Sequence, residues 1–472
     1  MVNPTKHRAY ICLLATIALI LGAAGNLRLI FAHVDFDYGE GWNAYWTSAA
    51  MQAPESIYPM GNAFVANNYP PLSFYAVGLL THFVGDAIIA GRLLSLTSLM
   101  VTVLLVARIT KAIGGSTWAG TISALLVLLY AVYPFGGFFA VDNPQWLSVA
   151  IIMFALSLLI RIPTPTRAQV MVATLLMAIA ALIKHNEIAL PAAYLIYLWR
   201  HNRRHAMQWL AGATLMAFLI AVVLYIIFGA PVFISVLLYN RKFDSGNALK
   251  GFWLFAGSLP FIAAGALIIR KRSIEPRFEL VAIFATVALL LGTIFHLGSG
   301  VSCNTHFSAL AAWAVLAGIA LTMPELALPT RRLLAAAMMV PVVANMPFQI
   351  LQSIPRATQP STEVSGSEKL IAEIHAERGP VLCEELSICF WAGKPMLVDF
   401  FSFGQKLRAG KPDSGLQQAL ASQRFPIIVM QFSDDPDEES RLPDPYLALI
   451  KSNYHPVLNV ANSVVELRPR SQ

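Results

Sequence analysis

The stretch HVDFDYGEGWNAYW, residues 33–46, sets three acids, Asp35, Asp37 and Glu40, within six positions, directly after an apolar run long enough to cross a bilayer. An ionisable side chain at such a boundary is costly unless it reaches water or a partner, which makes it a functional candidate. A carboxylate held at a low-dielectric surface has a raised pKa and can accept a proton from a hydroxyl at neutral pH. Gly39 and Gly41 flank Glu40 and permit a tight backbone path, while Trp42, Tyr45 and Trp46 can hold the stretch at headgroup depth. Asp37 and Glu40 are the candidates for a base, and Asp35 reads equally as an acid that solvates the loop. Asp142 opens a further apolar run in the sequence DNPQ. Asp, Asn and Pro are also ordinary helix-start residues, so capping and a site role both stand for it.

The elements that must position these residues are membrane helices. The 472 residues are 57% hydrophobic and 12% charged, with a mean hydropathy of +0.62, whereas soluble domains carry about 25% charged residues. Apolar runs at 9–31, 88–110, 117–135, 145–160, 169–183, 187–199, 207–228, 253–269, 279–297, 306–322 and 333–352 predict eleven spans. Lys6 and Arg8 before the first run resemble the start of a signal peptide, but no small-x-small cleavage site follows, and the run is read as an uncleaved helix. The net charge of +7 does not point to nucleic acid, because Lys and Arg cluster at the helix ends. Fifteen lie in the loops of the N-terminal side and six, Arg28, Arg92, Lys184, Arg241, Lys242 and Lys250, on the other. This predicts a cytoplasmic N-terminus and an external C-terminal region. Acids divide the opposite way: Asp35, Asp37, Glu40, Glu55, Asp86, Asp142, Glu187 and Asp244 all fall on the external side. An external active site is one cause. The short apolar segment 71–85 would invert every later loop if it crossed, so it is read as an interfacial or re-entrant helix, as is the amphipathic 41–52.

From 353 to 472 the composition changes to 12 Lys/Arg and 15 Asp/Glu. Runs such as PVLCEEL, KPMLVDF, FPIIVMQF and NSVVEL read as strands, and SEKLIAEIHAER and LQQALASQR as helices between them. The fold class expected is therefore an all-α polytopic membrane protein, residues 1–352 with a first external loop at 32–87, followed by a small external α/β domain at 353–472. Cys383 and Cys389 are placed either to pair, if that domain is external, or to lie as buried thiols.

The order of features resembles the GT-C membrane glycosyltransferases, in particular the bacterial branch similar to protein O-mannosyltransferases and aminoarabinose transferases. An apolar first helix leads to the acidic motif and an aromatic helix, then to YPPL at 69–72 and Arg92-Leu-Leu-Ser95. Later come DNPQ at 142–145, LIKHNE at 182–187 and GSGVSCNTHF at 298–307. The resemblance implies a polyprenyl-phosphate-linked sugar as donor, used on the outer face of a bacterial inner membrane. It implies direct, inverting displacement onto a glycan, lipid or protein acceptor, and a carboxylate of the first external loop as base. That carboxylate falls on Asp37, with Glu40 as the other candidate because DYGEG stands where relatives carry adjacent Asp-Glu. Displacing a phosphate also needs cations on the leaving group, and Lys184, Arg241 and Lys242 are placed for it; each also reads as a charge snorkelling at a helix end. Asp142 and Asp35 are the second acids or acceptor contacts, and Tyr69, His185, Asn304 and His306 are candidates to bind substrate. The implied relatives are metal-independent; the more distant oligosaccharyltransferases use a divalent ion, but no spacing here specifies a metal site.

Two other classes compete. A transporter or flippase would show an internal repeat and charge at the membrane midplane, and neither is visible. A non-catalytic scaffold leaves the rim acids and Lys184 unexplained.

Overall fold

In the computed structural model, which describes residues 4–62, 64–161, 165–238, 243–271, 275–431, 441–460 and 464–470, the first apolar run forms α1 (Pro4–Leu29). Two short helices follow, α2 (Tyr38–Gln52) and α3 (Leu72–Val84). The bundle continues with α4 (Ala87–Ala112), α5 (Thr117–Val132), α6 (Gln145–Leu159), α7 (Arg167–Ile183), α8 (Ala189–His201), α9 (Arg203–Phe228) and α10 (Pro231–Leu237). It ends with α11 (Ser245–Lys271), α12 (Pro276–His296), α13 (Phe307–Thr322) and α14 (Leu328–Thr358). Local chemistry sets several boundaries. Asp86, Ser116 and Asn202 cap α4, α5 and α9 through their side chains, and Thr166 with Gln169 forms a capping box on α7. Gly85, at φ +87°, ends α3 in the left-handed region.

All eleven predicted spans fall on helices, but not all are of spanning length. Among the described residues seven helical segments are long and apolar enough to cross a membrane: Lys6–Leu29, Ala87–Ala112, Arg203–Phe228, Ser245–Lys271, Pro276–His296, Cys303–Thr322 and Leu328–Thr358. The other four expected spans are α5, α6, α7 and α8, of 16, 15, 17 and 13 residues. They fall short of the roughly 20 residues that a straight crossing requires. α6 is buried along most of its length against α4, α7 and α13, so its surroundings are protein. The segments expected at the interface are the separate helices α2 and α3. α14 runs past residue 352 to Thr358 and packs along α1, where Gly25 N donates to Ser353 Oγ at 2.9 Å.

The C-terminal part adds α15 (Pro360–Ala376), β1 (Val381–Cys383), α16 (Leu386–Trp391), α17 (Phe400–Arg408), α18 (Leu416–Ala421), β2 (Ile427–Gln431), α19 (Asp444–Asn453), β3 (Tyr454–Val460) and β4 (Val464–Pro469). The sheet order is β1-β2-β4-β3, with β1 parallel to β2 and β4 antiparallel to both β2 and β3. Side chains alternate across it. Val381, Ile427 and Val429 pack with Leu370 of α15 and Ile388 of α16, while Leu382 and Ile428 pack with Phe400, Phe403, Leu420 and Ile450 of the other helices. The expected strand KPMLVDF is not one: Val398 fills that second layer and Asp399 N bonds Phe64 O, so the segment is tied to a loop of the helical part instead of the ladder. The strand at 454–460 had no reading in the sequence.

α13 is the buried centre of the bundle, packed against α4, α5, α11 and α12. A Cβ at Gly318 would overlap Ser123 Oγ and the Ala119 carbonyl of α5. Gly318→Val should therefore force α13 and α5 apart and cost about 1–3 kcal/mol or more, read as a fall in melting temperature of the purified protein in detergent.

Candidate active site

Glu40 lies in the first turn of α2 and Arg92 in α4, and both side chains are fully buried. They form a forked pair: Arg92 Nε donates to Glu40 Oε1 at 2.7 Å and Nη2 to Oε2 at 2.5 Å. The remaining guanidinium N–H groups donate to the carbonyls of Ala32 at 3.1 Å and Val34 at 2.6 Å, with a longer contact to Ile30 at 3.4 Å. Glu40 also accepts from the backbone N–H groups of Phe36 at 3.1 Å and Asp142 at 3.0 Å. Phe36 covers the guanidinium, its ring centre 3.8 Å from Cζ. One ion pair thus fixes the chain from 30 to 36 and the end of the α5–α6 loop. Asp142 follows from that arrangement. Its carbonyl accepts from Asn43 Nδ2 at 2.7 Å, and its carboxyl occupies the space that Gly91 leaves by lacking a Cβ. Burial and the nearby Glu40 push its pKa well above the usual carboxylate range.

In front of this pair opens a cavity of about 370 Å³. Asp37, Tyr38, Trp42, Tyr69, Lys184 and His185 line it, together with Asn186, Phe295, Asn304, Asp399, Phe401 and Arg441. Asp37 caps α2, accepting from Gly39 N at 2.8 Å. Burial first, then the neighbouring charges of Asp35 and Glu40, push it up to about 6, against the Gly39 hydrogen bond and Arg441. Lys184, the residue after α7, is buried with Nζ 3.4 Å from the centre of the Tyr69 ring, a cation–π contact that holds an ammonium at an aromatic wall. Behind it Glu187 accepts from Ser308 Oγ at 2.7 Å and from Gln145 Nε2, and burial raises it to about 7.

Five of the sequence candidates therefore meet in one place: Asp37, Tyr69, Lys184, His185 and Asn304. Glu40 is placed differently, its carboxylate turned into the Arg92 pair and away from the cavity, because Arg92 reaches it from α4. Asp142 stands behind that pair and is not a cap: Asn143 Oδ1 bonds Gln145 N at 3.0 Å instead. Asp35 accepts from Ser387 Oγ. His306 faces a separate apolar pocket and stacks edge-on with His296, ring centres 5.6 Å apart. Arg241 and Lys242 lie outside the described residues. Among the described residues no group of three His, Cys, Asp or Glu side chains is arranged to hold a metal ion.

Sequence reasoning missed the contribution of the α/β part. Asp399 caps α17 and accepts from Tyr38 Oη at 2.8 Å and Trp42 Nε1 at 3.1 Å. Arg441 lies over the Tyr38 ring, Cζ 4.1 Å from its centre. No local motif marks either residue; only the tertiary fold brings them to α2. Cys383 and Cys389 are disulfide-bonded.

Residues 68–228 match the family described as dolichyl-phosphate-mannose-protein mannosyltransferase. ArnT from Cupriavidus metallidurans in the apo state is structurally similar over 98% of both chains, with 16% identity and a TM-score of 0.60. The same protein bound to undecaprenyl phosphate aligns over 97% of this chain and 98% of that one, with 14% identity and a TM-score of 0.59. The chain carries the GT-C fold. The apo oligosaccharyltransferase of Archaeoglobus fulgidus shares that GT-C architecture more distantly, with 10% identity, a TM-score of 0.51, and coverage of 88% of this chain and 69% of that one. No curated protein sequence matches the chain. The matched segment runs from Asn68, which lines the cavity, to the end of α9, and so includes Tyr69, Arg92, Asp142 and Lys184.

Removing one partner of a buried pair leaves an uncompensated charge, which costs roughly 3–5 kcal/mol. Arg92→Met should accordingly yield little folded protein, and Arg92→Met with Glu40→Met should recover part of the loss; equal melting temperatures for the single and double variants would show that the pair does not act as one unit.

Proposed function

We propose that this GT-C chain is a glycosyltransferase that moves a monosaccharide from a polyprenyl-phosphate donor to an extracytoplasmic glycan, lipid or protein acceptor, with inversion at the anomeric carbon. The observation that carries this reading is the placement of Asp37 and Lys184 in one aromatic-lined cavity at one end of the helical bundle. Asp37 takes the proton of the acceptor hydroxyl. The hydroxyl oxygen bonds to the anomeric carbon from the face opposite the phosphate, and the bond from that carbon to the phosphate oxygen breaks with its electron pair left on the oxygen. Lys184 stabilises the phosphate as that charge develops. Arg241 and Lys242 are assigned to the same anion. Tyr69, His185 and Asn304 are assigned to substrate, the aromatic rings Trp42 and Tyr69 supplying faces on which a sugar ring can pack. Asp142 and Glu40 hold the surrounding backbone, and His306 and Asp35 lie at the margins of the site.

The membrane is assigned as the bacterial inner membrane, with the N-terminus cytoplasmic and residues 353–472 outside. Two features support that orientation. The cavity walls come in part from the loops after α1, α5, α7 and α12, whose only Lys or Arg is Lys184, and the region after α14 closes the same cavity. The Cys383–Cys389 disulfide suits an oxidising compartment. On this reading 1–352 is the catalytic helical domain, with its first external loop at 32–87, and 353–472 forms the far wall of its cavity.

A base with a pKa of about 6 must be ionised to act. Activity should therefore rise with pH through about 6, and the protonated carboxyl of Asp37 should favour the folded state most below its ordinary pKa of 3.8, that contribution being lost as the pH climbs through 6. Asp37→Asn should lower sugar transfer from a polyprenyl-phosphate donor about 10²- to 10⁴-fold in membranes; transfer at the wild-type rate removes Asp37 from the role of base. Lys184→Gln should weaken binding of undecaprenyl phosphate about tenfold or more while leaving binding of neutral undecaprenol unchanged, as measured by titration of the purified protein in nanodiscs.

A further inference from the structure

The α/β part reaches the helical part through a loop closed on itself. The Cys383–Cys389 disulfide bounds residues 384–388, and Glu384, Glu385, Leu386, Ser387 and Ile388 are all buried. The loop sits so close over α2 that a Cβ at Gly41 would overlap the Ser387 nitrogen, and Ser387 Oγ donates to Asp35, two residues before Asp37. Glu384 and Glu385 both accept from Nη1 of Arg441, at 3.0 and 3.2 Å. Arg441 is fixed from its backbone as well, because its carbonyl lies where a Cβ at Gly404 of α17 would stand. Between these two anchors the guanidinium carbon lies 4.1 Å from the ring centre of Tyr38, the residue next to Asp37, and the Tyr38 hydroxyl donates to Asp399.

A simple brace between two parts of a protein has no need to open on the cavity. Arg441 does: its side chain is 22% exposed, against 5% for Glu384 and 1% for Glu385, and it lines the same cavity as Asp37. Two carboxylates aimed at one edge of an arginine orient its planar fork and leave its face to the neighbouring ring. We propose that Arg441 is a positioning residue for the base: the disulfide-closed loop holds its guanidinium over Tyr38, and that fixed charge sets where the Asp37 carboxylate sits and stabilises the charge it carries. The proposal rests on the assignment of Asp37 as base.

The charged groups around Asp37 can be named. Asp35 and Glu40, from its own loop and helix, disfavour its charge; Arg441 favours it; Asp142 of the α5–α6 loop and Cys303 before α13 lie within electrostatic reach; Lys184 and His185 line the same cavity from the α7–α8 loop, and Asp399 faces it through Tyr38. Loss of Arg441 removes the favourable charge, so Asp37 should hold its proton to higher pH.

The test is the pH profile of kcat/KM for the full chain in nanodiscs with a polyprenyl-phosphate sugar donor. Arg441→Gln should lower kcat about tenfold at neutral pH, as expected for a misplaced reacting group, change the donor KM less than about twofold, and move the acid limb to higher pH. Arg441→Lys should recover part of that displacement, since it restores charge without the fork. The double variant Cys383→Ser/Cys389→Ser keeps Arg441 but frees its support, and should move the limb in the same direction. An acid limb that stays in place in Arg441→Gln overturns the proposal whatever happens to melting temperature. Should that variant not fold, an unmoved limb in the double serine variant does the same. Full activity in Asp37→Asn would instead remove the base assignment, and with it the ground on which the proposal stands.

Discussion

The site is organised around one buried ion pair. A carboxylate and a guanidinium taken out of water are a liability unless each finds partners for nearly all its hydrogen-bonding groups. Glu40 and Arg92 do so by recruiting backbone from elsewhere: the carbonyls at Ala32 and Val34 and the N–H groups of Phe36 and Asp142. The need to satisfy two charges is thereby converted into a fixed path for the loop that carries Asp37 and for the turn that precedes α6.

In front of the pair, aromatic rings and charges alternate around the cavity. Lys184 lies against Tyr69 and Arg441 against Tyr38, so each cation is held near the site by a ring face. A ring face attracts a cation without taking up its charge in a hydrogen bond. The two cations come from opposite parts of the chain, one from the helical bundle and one from the α/β region. The cavity is thus a joint product of the two, and the tight seat of Gly41 against Ser387 makes their docking a matter of backbone shape as well as charge.

Much of this was legible in the sequence. Hydrophobic periods located the long apolar helices, though not the short α10, and the uneven spread of Lys and Arg grouped several of the loops that wall the cavity. What the periods could not give was crossing length: α5 to α8 are too short to span as straight helices, and their apolar character reflects burial in protein as much as contact with lipid. Asp37, Tyr69, Lys184, His185 and Asn304 could be picked out because an ionisable or polar residue is conspicuous in an apolar chain. Asp399 and Arg441 could not, because in a segment of ordinary soluble composition one Asp or Arg among many carries no signal. Glu40 was ambiguous for a related reason. Its position in the motif suited a base as well as Asp37's did, and only the approach of Arg92, fifty-two residues later, separates a carboxylate held in an ion pair from one that faces the cavity.

The seat of the 384–388 loop on α2 also bears on how the chain reaches its final form. Domains fold broadly in the order in which they are made. The acidic loop emerges among the first forty residues, yet its cavity lacks a wall until Asp399, Phe401, Ser402 and Arg441 have been synthesised and docked. For most of synthesis the acidic motif borders an unfinished cleft, and the last quarter of the chain supplies the part that closes it.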